Sequence, residues 1–364
     1  MRLALRAFLH TLLPLCLLAP LATCARGVPV HPAAAAPPAV QALAELALLP
    51  RRETVHAGEL GGQRLVLAWT EASWDHEHVF GELLALASLQ PAAPLVLLAP
   101  TEDPDELREL VERLGGRGEN LELIPTDLDT FWIRDYGPQA VRWRGQWRLV
   151  DFPYDYERPS DDDVPAVLAE RFGLALEHTA LDIEGGHLLV EAGVCMVSED
   201  VFERNDLQGW TRDEVVLELE SLFGCDEVVF LTPLLGEATG HIDIFATVVA
   251  PGRVLVGRYE REEDEENAFL LDEAAKLLAE AGLDVHRMPM PSHSGRSLFR
   301  TYTNLVVLPT LVLVPTYLQD QRHEDEALAL LDEAFPGKTV LPLHADELIE
   351  LEGALHCVAL TLPF

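Results

Sequence analysis

Short apolar runs alternate with amphipathic stretches along most of the chain. The runs "RLVLAW" (64–69) and "APLVLLA" (93–99) are bounded by turn residues, which predicts buried β-strands. The stretch "DPDELRELVERLGG" (103–116) has the pattern of a helix, with Asp103 as its cap and Gly115 at its end. Further strands are predicted in "WRLVDF", "HLLVEAGVCMVS", "DEVVFL", "IDIFATVV", "RVLVGRY", "NLVVLPTLVLVPTY" and "HCVALTL".

The order of these elements predicts an α/β fold. Strands and helices follow each other in about five rounds of roughly 60 residues, each with one helix. No long linker interrupts them, so we expect one catalytic-sized domain over residues 41–364. Helices are expected near residues 163–173, 211–223, 265–282, 324–335 and 345–351.

The N-terminal residues have a different composition from the rest. Residues 1–27 contain Arg2 and Arg6, then an apolar stretch and small residues, which predicts a secretory signal peptide. Residues 28–40, "VPVHPAAAAPPAV", predict a Pro/Ala-rich linker. The "LATC" sequence that ends at Cys24 is similar to a lipoprotein signal and makes a lipid anchor an alternative. We therefore expect a bacterial protein that is periplasmic, secreted or lipid-anchored, with no membrane span.

The chain is strongly acidic, with a formal net charge of −35. That balance argues against nucleic-acid partners, because a phosphate backbone needs a basic surface. It is compatible with a cationic small molecule or a basic peptide as the partner. Solubility or salt tolerance alone would also explain it, since net charge does not define a site.

Three cysteines remain once the predicted signal peptide is removed. They are Cys195, Cys225 and Cys357. An odd number in an exported protein leaves at least one free thiol or one intermolecular disulfide. The wide spacing, without a C-x-x-C pair, argues against a zinc cluster.

Polar clusters interrupt the apolar strands at two places between residues 130 and 190. In "TFWIRDYGP" (130–138), the Arg134–Asp135 pair lies between aromatic residues and a Gly-Pro turn, which indicates a strand end that opens into a loop. The alternative is a buried ion pair that closes a turn. In "DIEGGHLLV" (182–190), Glu184 precedes two glycines, which permit a tight turn or a close backbone approach.

A third cluster is "TGHIDIFA" (239–246). His241 and Asp243 are two positions apart, so a strand at this place would point both side chains to one face. Such a pair could ligate a metal, act as acid and base, or be a satisfied pair in the core.

Cys357 stands directly after His356, seven residues from the C-terminus, where chains usually fray. It either fills a buried last strand or is a reactive thiol held by the rest of the fold. A thiol becomes a nucleophile when a nearby cation or histidine lowers its pKa. Together with His241, Asp135 and Asp243, it predicts chemistry on a guanidinium group. The carboxylates would hold the planar cation, the thiolate would attack its central carbon, and the histidine would protonate the departing ammonia.

Five motifs in a fixed order carry a family resemblance. The chain resembles the bacterial peptidylarginine deiminase and agmatine deiminase family of the guanidine-modifying (pentein) superfamily. The resemblance extends over essentially the whole mature chain. It implies a five-bladed α/β propeller of ββαβ units, hydrolysis of a guanidinium group to a ureido group plus ammonia, and no metal or cofactor. The motifs are "WIRDYGP" (132–138), "EGG" (184–186), "HIDIFA" (241–246), "YTN" (302–304) and the terminal His356–Cys357.

The resemblance also implies roles for single residues by matching position. Cys357 would be the nucleophile, and His241 the general acid and base. Asp135 and Asp243 would clamp the guanidinium, and Glu184 would orient His241 or line the site. Contacts with the substrate are implied for Trp132, which would lie against its cation or stem, and for Asn304, which would shape its pocket.

Three positions depart from the family pattern. The glycine-rich run before His-Cys is reduced to Gly353 in "LEGALHC", and "LPT" (308–310) replaces an Asn-Gly pair. In "YDYERPSDDDVP" (154–165), only the second of two carboxylate-binding arginines is present, as Arg158, while Tyr156 occupies the first position.

The choice of substrate follows from Arg158 and the signal peptide. Together they favour a peptidylarginine or arginine-like substrate that is converted to citrulline. Agmatine, which would give N-carbamoylputrescine for putrescine biosynthesis, is the alternative. An alternative of another class is an exported propeller that binds cationic ligands without turnover, with Cys357 as a buried strand residue. A Cys–His protease would leave the paired carboxylates unexplained, and a metal enzyme would lack an obvious third ligand.

Overall fold

The strands assemble into five separate sheets within the part of the chain that the structure describes. The structure is a computed structural model that describes residues 54–56, 60, 63–90, 95–100, 105–154 and 157–364. The strands are β1 (Thr54–His56), β2 (Arg64–Ala68), β3 (Leu95–Ala99), β4 (Leu121–Pro125), β5 (Gln139–Trp143), β6 (Gln146–Asp151), β7 (Ala175–His178), β8 (Leu188–Glu191), β9 (Val194–Ser198), β10 (Glu227–Leu231), β11 (Ala246–Ala250), β12 (Arg253–Arg258), β13 (Asp284–Pro289), β14 (Val306–Val307), β15 (Leu311–Thr316), β16 (Thr339–His344) and β17 (Ala359–Leu362).

The described helices connect these strands. They are α1 (Glu77–Ser88), α2 (Asp105–Arg113), α3 (Ile133–Tyr136), α4 (Pro159–Asp162), α5 (Val164–Phe172), α6 (Asp200–Asp206), α7 (Arg212–Phe223), α8 (Glu265–Glu280), α9 (Glu324–Ala334) and α10 (Asp346–Ile349), with 3₁₀ turns at Glu71–His76, Gly118–Asn120 and Gly185–His187. In the described part of the chain, no helix has the length and apolar character needed to cross a bilayer.

One pattern recurs in all five sheets. Two strands pair antiparallel, and a helical crossover then returns the chain to a parallel strand, as in β11–β12–β13 with α8 between the last two. A parallel neighbour requires such a crossover, which explains why strand pairs and helices alternate in the sequence. The strand orders are β1-β5-β6-β7, β10-β9-β8, β11-β12-β13, β14-β15-β16 and β17-β2-β3-β4.

The last strand pairs with one of the first. β17 runs antiparallel to β2, with Ala359 opposite Leu67 and Leu362 opposite Arg64. Arg64 also donates from Nε to the carbonyl oxygen of Phe364 at 3.1 Å. The C-terminus is therefore held in a sheet by its pairing with β2 and by its contact with Arg64.

Each of the five sequence motifs lies just before a strand that opens an antiparallel pair. No two of these strands belong to the same sheet. The motifs therefore occupy equivalent positions in five repeats of one architecture. The correspondences are Asp135 before β5, Glu184 before β8, Asp243 before β11, Asn304 before β14 and Cys357 before β17.

The buried side chains agree with the apolar pattern of the sequence. β3 is buried at every position, as its continuous apolar run predicts. α2 buries Leu107, Leu110 and Val111, which lie on one face at helical spacing. Cys357 packs into the apolar cluster that contains Val248 of β11. The described residues all fall within one compact unit, Ala42–Phe364.

Four helices were not predicted from the sequence, namely α1, α6 and the single-turn helices α3 and α4. α1 is buried around most of its circumference, including Val79, Phe80, Leu83 and Leu84, so it lacks the polar face that marks an amphipathic helix. α6 is short and polar and has no side-chain cap. Several predictions lie outside the described residues, namely the signal peptide (1–27), the linker (28–40), the anchor at Cys24, the cap at Asp103 and the residue at Tyr156.

Three local predictions were wrong. The "WIRDYGP" motif forms the single-turn helix α3 and not a strand end. His241 and Asp243 lie in a turn before β11 and not on a strand, because the Ile242 and Asp243 amides bind the distant Gly186 carbonyl. Cys357 lies in the turn that precedes β17 and not within that last strand.

Cys195 and Cys225 form a disulfide, with their Cα atoms 5.7 Å apart. Cys195 lies on β9, and Cys225 precedes the parallel neighbour β10. Among the described cysteines this leaves Cys357 as the free thiol. The sequence analysis required at least one free or intermolecularly bonded cysteine, and the structure identifies which one it is.

The disulfide predicts a thiol count and a stability difference. A protein of residues 28–364, once unfolded, should contain one reactive thiol without reductant and three with it. A Cys195→Ser/Cys225→Ser double variant should lose about 3 to 4 kcal/mol of unfolding free energy, because a loop with a sequence separation of 30 is no longer closed in the unfolded chain. Thiol titration and urea unfolding measure both, and three thiols without reductant would contradict the pairing.

Candidate active site

A cavity of about 500 Å³ brings most of the predicted site residues together. Cys357 lies in its wall, only 5 % exposed. Of the eight predicted site residues, Asp243 and Asn304 are buried and do not line the cavity. The predicted residues in the wall are Trp132, Asp135, Arg158, Glu184, His241 and Cys357.

The arginine of the "WIRDYGP" motif fixes the position of the C-terminal turn. The Arg134 amide donates to the Cys357 carbonyl at 3.2 Å, and the Arg134 Nε donates to the Ala359 carbonyl at 3.1 Å. The Arg134 side chain is 2 % exposed. A buried guanidinium bonded to backbone carbonyls is hard to displace, because its charge would lose its partners. Arg134 therefore places the cysteine relative to its neighbour Asp135.

Both glycines of the "EGG" motif are required because other residues approach their backbone too closely to leave room for a side chain. A Cβ atom at Gly185 would overlap the Arg134 carbonyl oxygen, and one at Gly186 would overlap the His241 ring. The Gly186 carbonyl also accepts from the Ile242 amide at 3.0 Å. The glycine pair therefore connects the first and third motifs through the backbone.

His241 lies between carboxylates. Its Nε2 donates to Glu184 Oε2 at 2.9 Å, and Arg204 holds the other Glu184 oxygen at 2.7 Å. Burial by itself would lower the pKa of His241, but the Glu184 hydrogen bond and the charges of Asp135 and Asp243 raise the pKa to about 9. His241 is therefore an imidazolium at neutral pH, with Nδ1 as the nitrogen left for proton transfer.

Glu184 is ionised in the same pair. Burial would raise its pKa, but the hydrogen bond and charge of His241, with His187 and Arg204, lower the pKa to about 2. Its carboxylate thus both orients His241 and lines the cavity, which are the two alternatives that the sequence left open.

Two buried carboxylate oxygens at the site have no hydrogen-bond partner among the described residues. They are Oδ1 of Asp135 and Oδ1 of Asp243. The second oxygen of Asp243 accepts from His356 Nδ1 at 2.6 Å. An unpaired buried carboxylate oxygen is costly, so two of them near one thiol indicate that a ligand with N–H donors completes the site.

These carboxylates differ in protonation. Burial raises the pKa of Asp135 to about 7, and the charge of His241 only partly opposes this rise. Burial would also raise the pKa of Asp243, but the hydrogen bond from His356 reverses the effect and lowers it. Asp243 is therefore charged at neutral pH, whereas Asp135 takes its full charge more readily when a cation binds.

The Cys357 thiol is protonated in the ligand-free site. Burial, and then the charges of Asp243 and Asp135, raise its pKa well above the usual range. Asn304 lies behind it and accepts from the Cys357 Sγ at 3.5 Å and from the His356 amide at 2.9 Å. Asn304 acts on the pocket through the position of the sulfur, since it does not line the cavity itself.

The mouth of the cavity contains Trp132 and Arg158. A Cβ atom at Gly353 would overlap the Trp132 ring, which explains why this one glycine of "LEGALHC" is needed. Arg158 donates from Nη1 to Tyr154 Oη at 2.9 Å. Two of the three predicted substrate contacts, Trp132 and Arg158, thus line the cavity, whereas Asn304 does not.

The sequence analysis did not identify several residues at this site. Arg204 lies on the unpredicted α6, and His187 directly follows the "EGG" motif, which was its only signal. The other residues in the cavity wall are Tyr154, Asp200, Ala238, Thr239, Leu351 and Glu352.

Glu184, His187 and His241 lie close enough together to hold a metal ion. Their atoms are already used in hydrogen bonds, however. His187 Nδ1 accepts from the Glu184 amide at 3.1 Å, and its Nε2 donates to the Thr239 carbonyl at 3.1 Å. Burial lowers the pKa of His187 to about 3, which keeps the ring neutral. The trio is best described as a hydrogen-bond network that supports His241.

The fold and cavity define a class of protein. A buried thiol, an imidazolium and carboxylates with free oxygens, within an α/β fold, suit a hydrolase that acts on a cationic carbon–nitrogen group. Residues 61–363 match the Porphyromonas-type peptidyl-arginine deiminase family. The chain belongs to this family, which confirms the predicted hydrolysis of guanidino C–N bonds.

Relatives and solved structures agree with this assignment. An agmatine deiminase from Ectopseudomonas mendocina is 24 % identical over 287 residues, which cover 67 % of this chain and 77 % of that protein. An agmatine deiminase structure from C. jejuni is 22 % identical, covers 85 % of this chain and 96 % of its own, and has a TM-score of 0.72. One from Enterococcus faecalis is 19 % identical, with the same coverages and a TM-score of 0.72. The predicted α/β fold is thereby confirmed.

The close approach of Gly186 to His241 yields a prediction. A Gly186→Ala variant should keep its fold but lose about 100-fold in kcat, because the added methyl displaces the imidazole by about 1 Å. Gly282→Ala is the control. It has φ of +91° and open space, so it should lower the melting temperature without changing kcat. An unchanged kcat in Gly186→Ala would show that the His241 position is not critical.

Proposed function

We propose that this protein is an exported peptidylarginine deiminase, which hydrolyses the guanidinium group of a peptide-bound arginine to give citrulline and ammonia. The observation that carries the proposal is the pair of unpartnered carboxylate oxygens on Asp135 and Asp243 beside the Cys357 thiol. A guanidinium is planar, is permanently charged and presents several N–H donors, so it would pair with the Asp135 oxygen in the cavity wall, and its charge would be attracted by the buried Asp243.

The chemistry begins when the substrate cation offsets the negative charges near Cys357. The pKa of the Cys357 thiol then falls, its proton passes to solvent water, and the thiolate attacks the central guanidinium carbon, forming a C–S bond. The imidazolium of His241 gives its proton to the leaving nitrogen, and the C–N bond breaks to release ammonia. Neutral His241 next takes a proton from water, which attacks the same carbon. The C–S bond then breaks, the hydroxyl proton of the intermediate passes to the departing sulfur, and the ureido product leaves the restored thiol.

The other residues support these steps. Glu184, held by Arg204, would keep His241 protonated and oriented. Asn304 would hold the sulfur in line, and Trp132 would cover the substrate stem or cation.

Arg158 and the export signal favour a peptide as the substrate. Arg158 at the cavity is suited to a carboxylate or a backbone carbonyl of the substrate. A disulfide such as Cys195–Cys225 is typical of oxidising compartments, which supports export. A lipid anchor at Cys24 has no support beyond the sequence pattern of the leader.

A five-bladed propeller is the arrangement that we propose for the five sheets. Two observations support this arrangement. The strand order repeats from sheet to sheet, and one of the five motifs precedes the antiparallel strand pair of each sheet. In a propeller these places would converge at the centre, where the cavity residues meet.

Agmatine is the second candidate substrate. Asp200 and Glu352 also line the cavity and would suit the ammonium group at the far end of agmatine. The relatives named above are agmatine deiminases. A non-catalytic binder of cationic ligands is disfavoured, because binding alone would not require a buried thiol beside an imidazolium.

Ammonia release by the mature protein tests the proposal. Peptides with an internal or C-terminal arginine should release ammonia, and the Cys357→Ser variant should release none while retaining the circular dichroism spectrum of the wild type. Agmatine and free arginine are offered in parallel. Release from agmatine alone would replace the peptide proposal with the agmatine alternative. Release by Cys357→Ser at a substantial rate would exclude Cys357 as the nucleophile, and no release from any substrate would favour the binding protein.

A further inference from the structure

A second cavity of about 470 Å³ adjoins the active-site cavity. We call it the side cavity. The two share Trp132, Leu351 and Glu352 as lining residues, so they lie on either side of a common wall. The side cavity is further lined by Ala72, His76, Phe131, Ser297, Leu298 and Glu350.

The side cavity has an apolar interior. The rings of Phe131 and Trp132 lie 4.7 Å apart, and Phe131 also packs edge-on to His76 at 6.2 Å. Leu298 also lines the side cavity and is half-buried, and Leu351 is 42 % exposed to solvent. Aromatic rings beside partly exposed leucines form a surface that gains free energy when an apolar side chain covers it.

The charge at the side cavity is negative. Glu350 and Glu352 both line it and are exposed, and the described residues in its wall include neither lysine nor arginine. An acidic side chain would therefore be repelled here, whereas a neutral apolar side chain would bind without an electrostatic cost.

The position of the side cavity matches the geometry of a peptide. Consecutive Cα atoms are about 3.8 Å apart, so the side chain next to the target arginine falls within reach of a cavity that shares its wall. Arg158 lines the active-site cavity and not the side cavity. Under the proposed function, Arg158 faces the carboxyl side of the arginine, which leaves the preceding residue for the side cavity.

We propose that the side cavity is a specificity subsite for the side chain that precedes the target arginine, and that it selects apolar over acidic side chains. This inference rests on the proposed peptidylarginine deiminase function. It predicts that the enzyme discriminates among peptides by a residue that takes no part in the chemistry.

Acetylated X-Arg-Gly amides, with X as Leu, Gly or Glu, test the subsite through kcat/KM for ammonia release. The wild type should prefer Leu over Gly by about tenfold, because much of one leucine side chain is buried, and should use Glu least well. Leu298→Ser removes an apolar wall and Ala72→Phe fills the cavity. Each should reduce the preference to about twofold while leaving kcat/KM for N-acetylarginine amide unchanged.

Leu217→Ser is the matched control. Leu217 is 44 % exposed on α7 and lines neither cavity, so its variant should retain the tenfold preference. Equal rates for the three peptides would overturn the subsite and leave the deiminase function standing. An unchanged preference in both cavity variants would also overturn it, since the selection would then arise elsewhere. Release from agmatine alone, or no release at all, would overturn the subsite and the proposed function together.

Discussion

Two buried carboxylates, Asp135 and Asp243, set the electrostatics on which the rest of the site depends. Each has an oxygen without a partner among the described residues, and both sit near a thiol that they keep protonated. The same charges help to keep His241 protonated, against the effect of its burial. Without a ligand, the site thus contains a protonated His241 and a protonated, unreactive Cys357 thiol. Under the proposed function, a bound guanidinium would offset the carboxylate charges and favour the thiolate, so that substrate binding and activation of Cys357 would be one event.

This arrangement requires that distant parts of the chain be held closely together. The Arg134 amide and guanidinium bind carbonyls of the C-terminal turn and last strand, more than 220 residues along the chain. Gly186 allows the His241 ring to pack against its backbone. Pairing of β17 with β2 then keeps the cysteine from fraying with the C-terminus. The sheets hold the distant parts of the chain together. The segments just before β5, β8, β11, β14 and β17 carry the candidate site residues.

Much of this could be predicted from the sequence, because element types and motif order depend on local patterns. The apolar runs predicted most strands but missed β1, β4, β5, β7, β13 and β16. The alternating pattern predicted α2, α5 and α7 to α10. The five short motifs contain every predicted site residue except Arg158. The predictions that failed concerned features that depend on contacts with residues far along the chain. The turn at His241 and Asp243 is set by the Gly186 carbonyl, and the disulfide is set by β9 lying beside β10. The role of Arg204 required α6, a short polar helix without a capping signal.

The ionisation of Cys357 tests the account most directly. The ultraviolet absorbance of the thiolate can be followed in wild-type protein at neutral pH, with Cys357→Ser as the reference, while the guanidinium ion is added as the minimal ligand. We predict little thiolate in the empty site and an increase that saturates as guanidinium binds. A full thiolate signal before any ligand is added, or no increase at saturation, would contradict the claim that the buried carboxylates keep the thiol protonated until the substrate cation arrives.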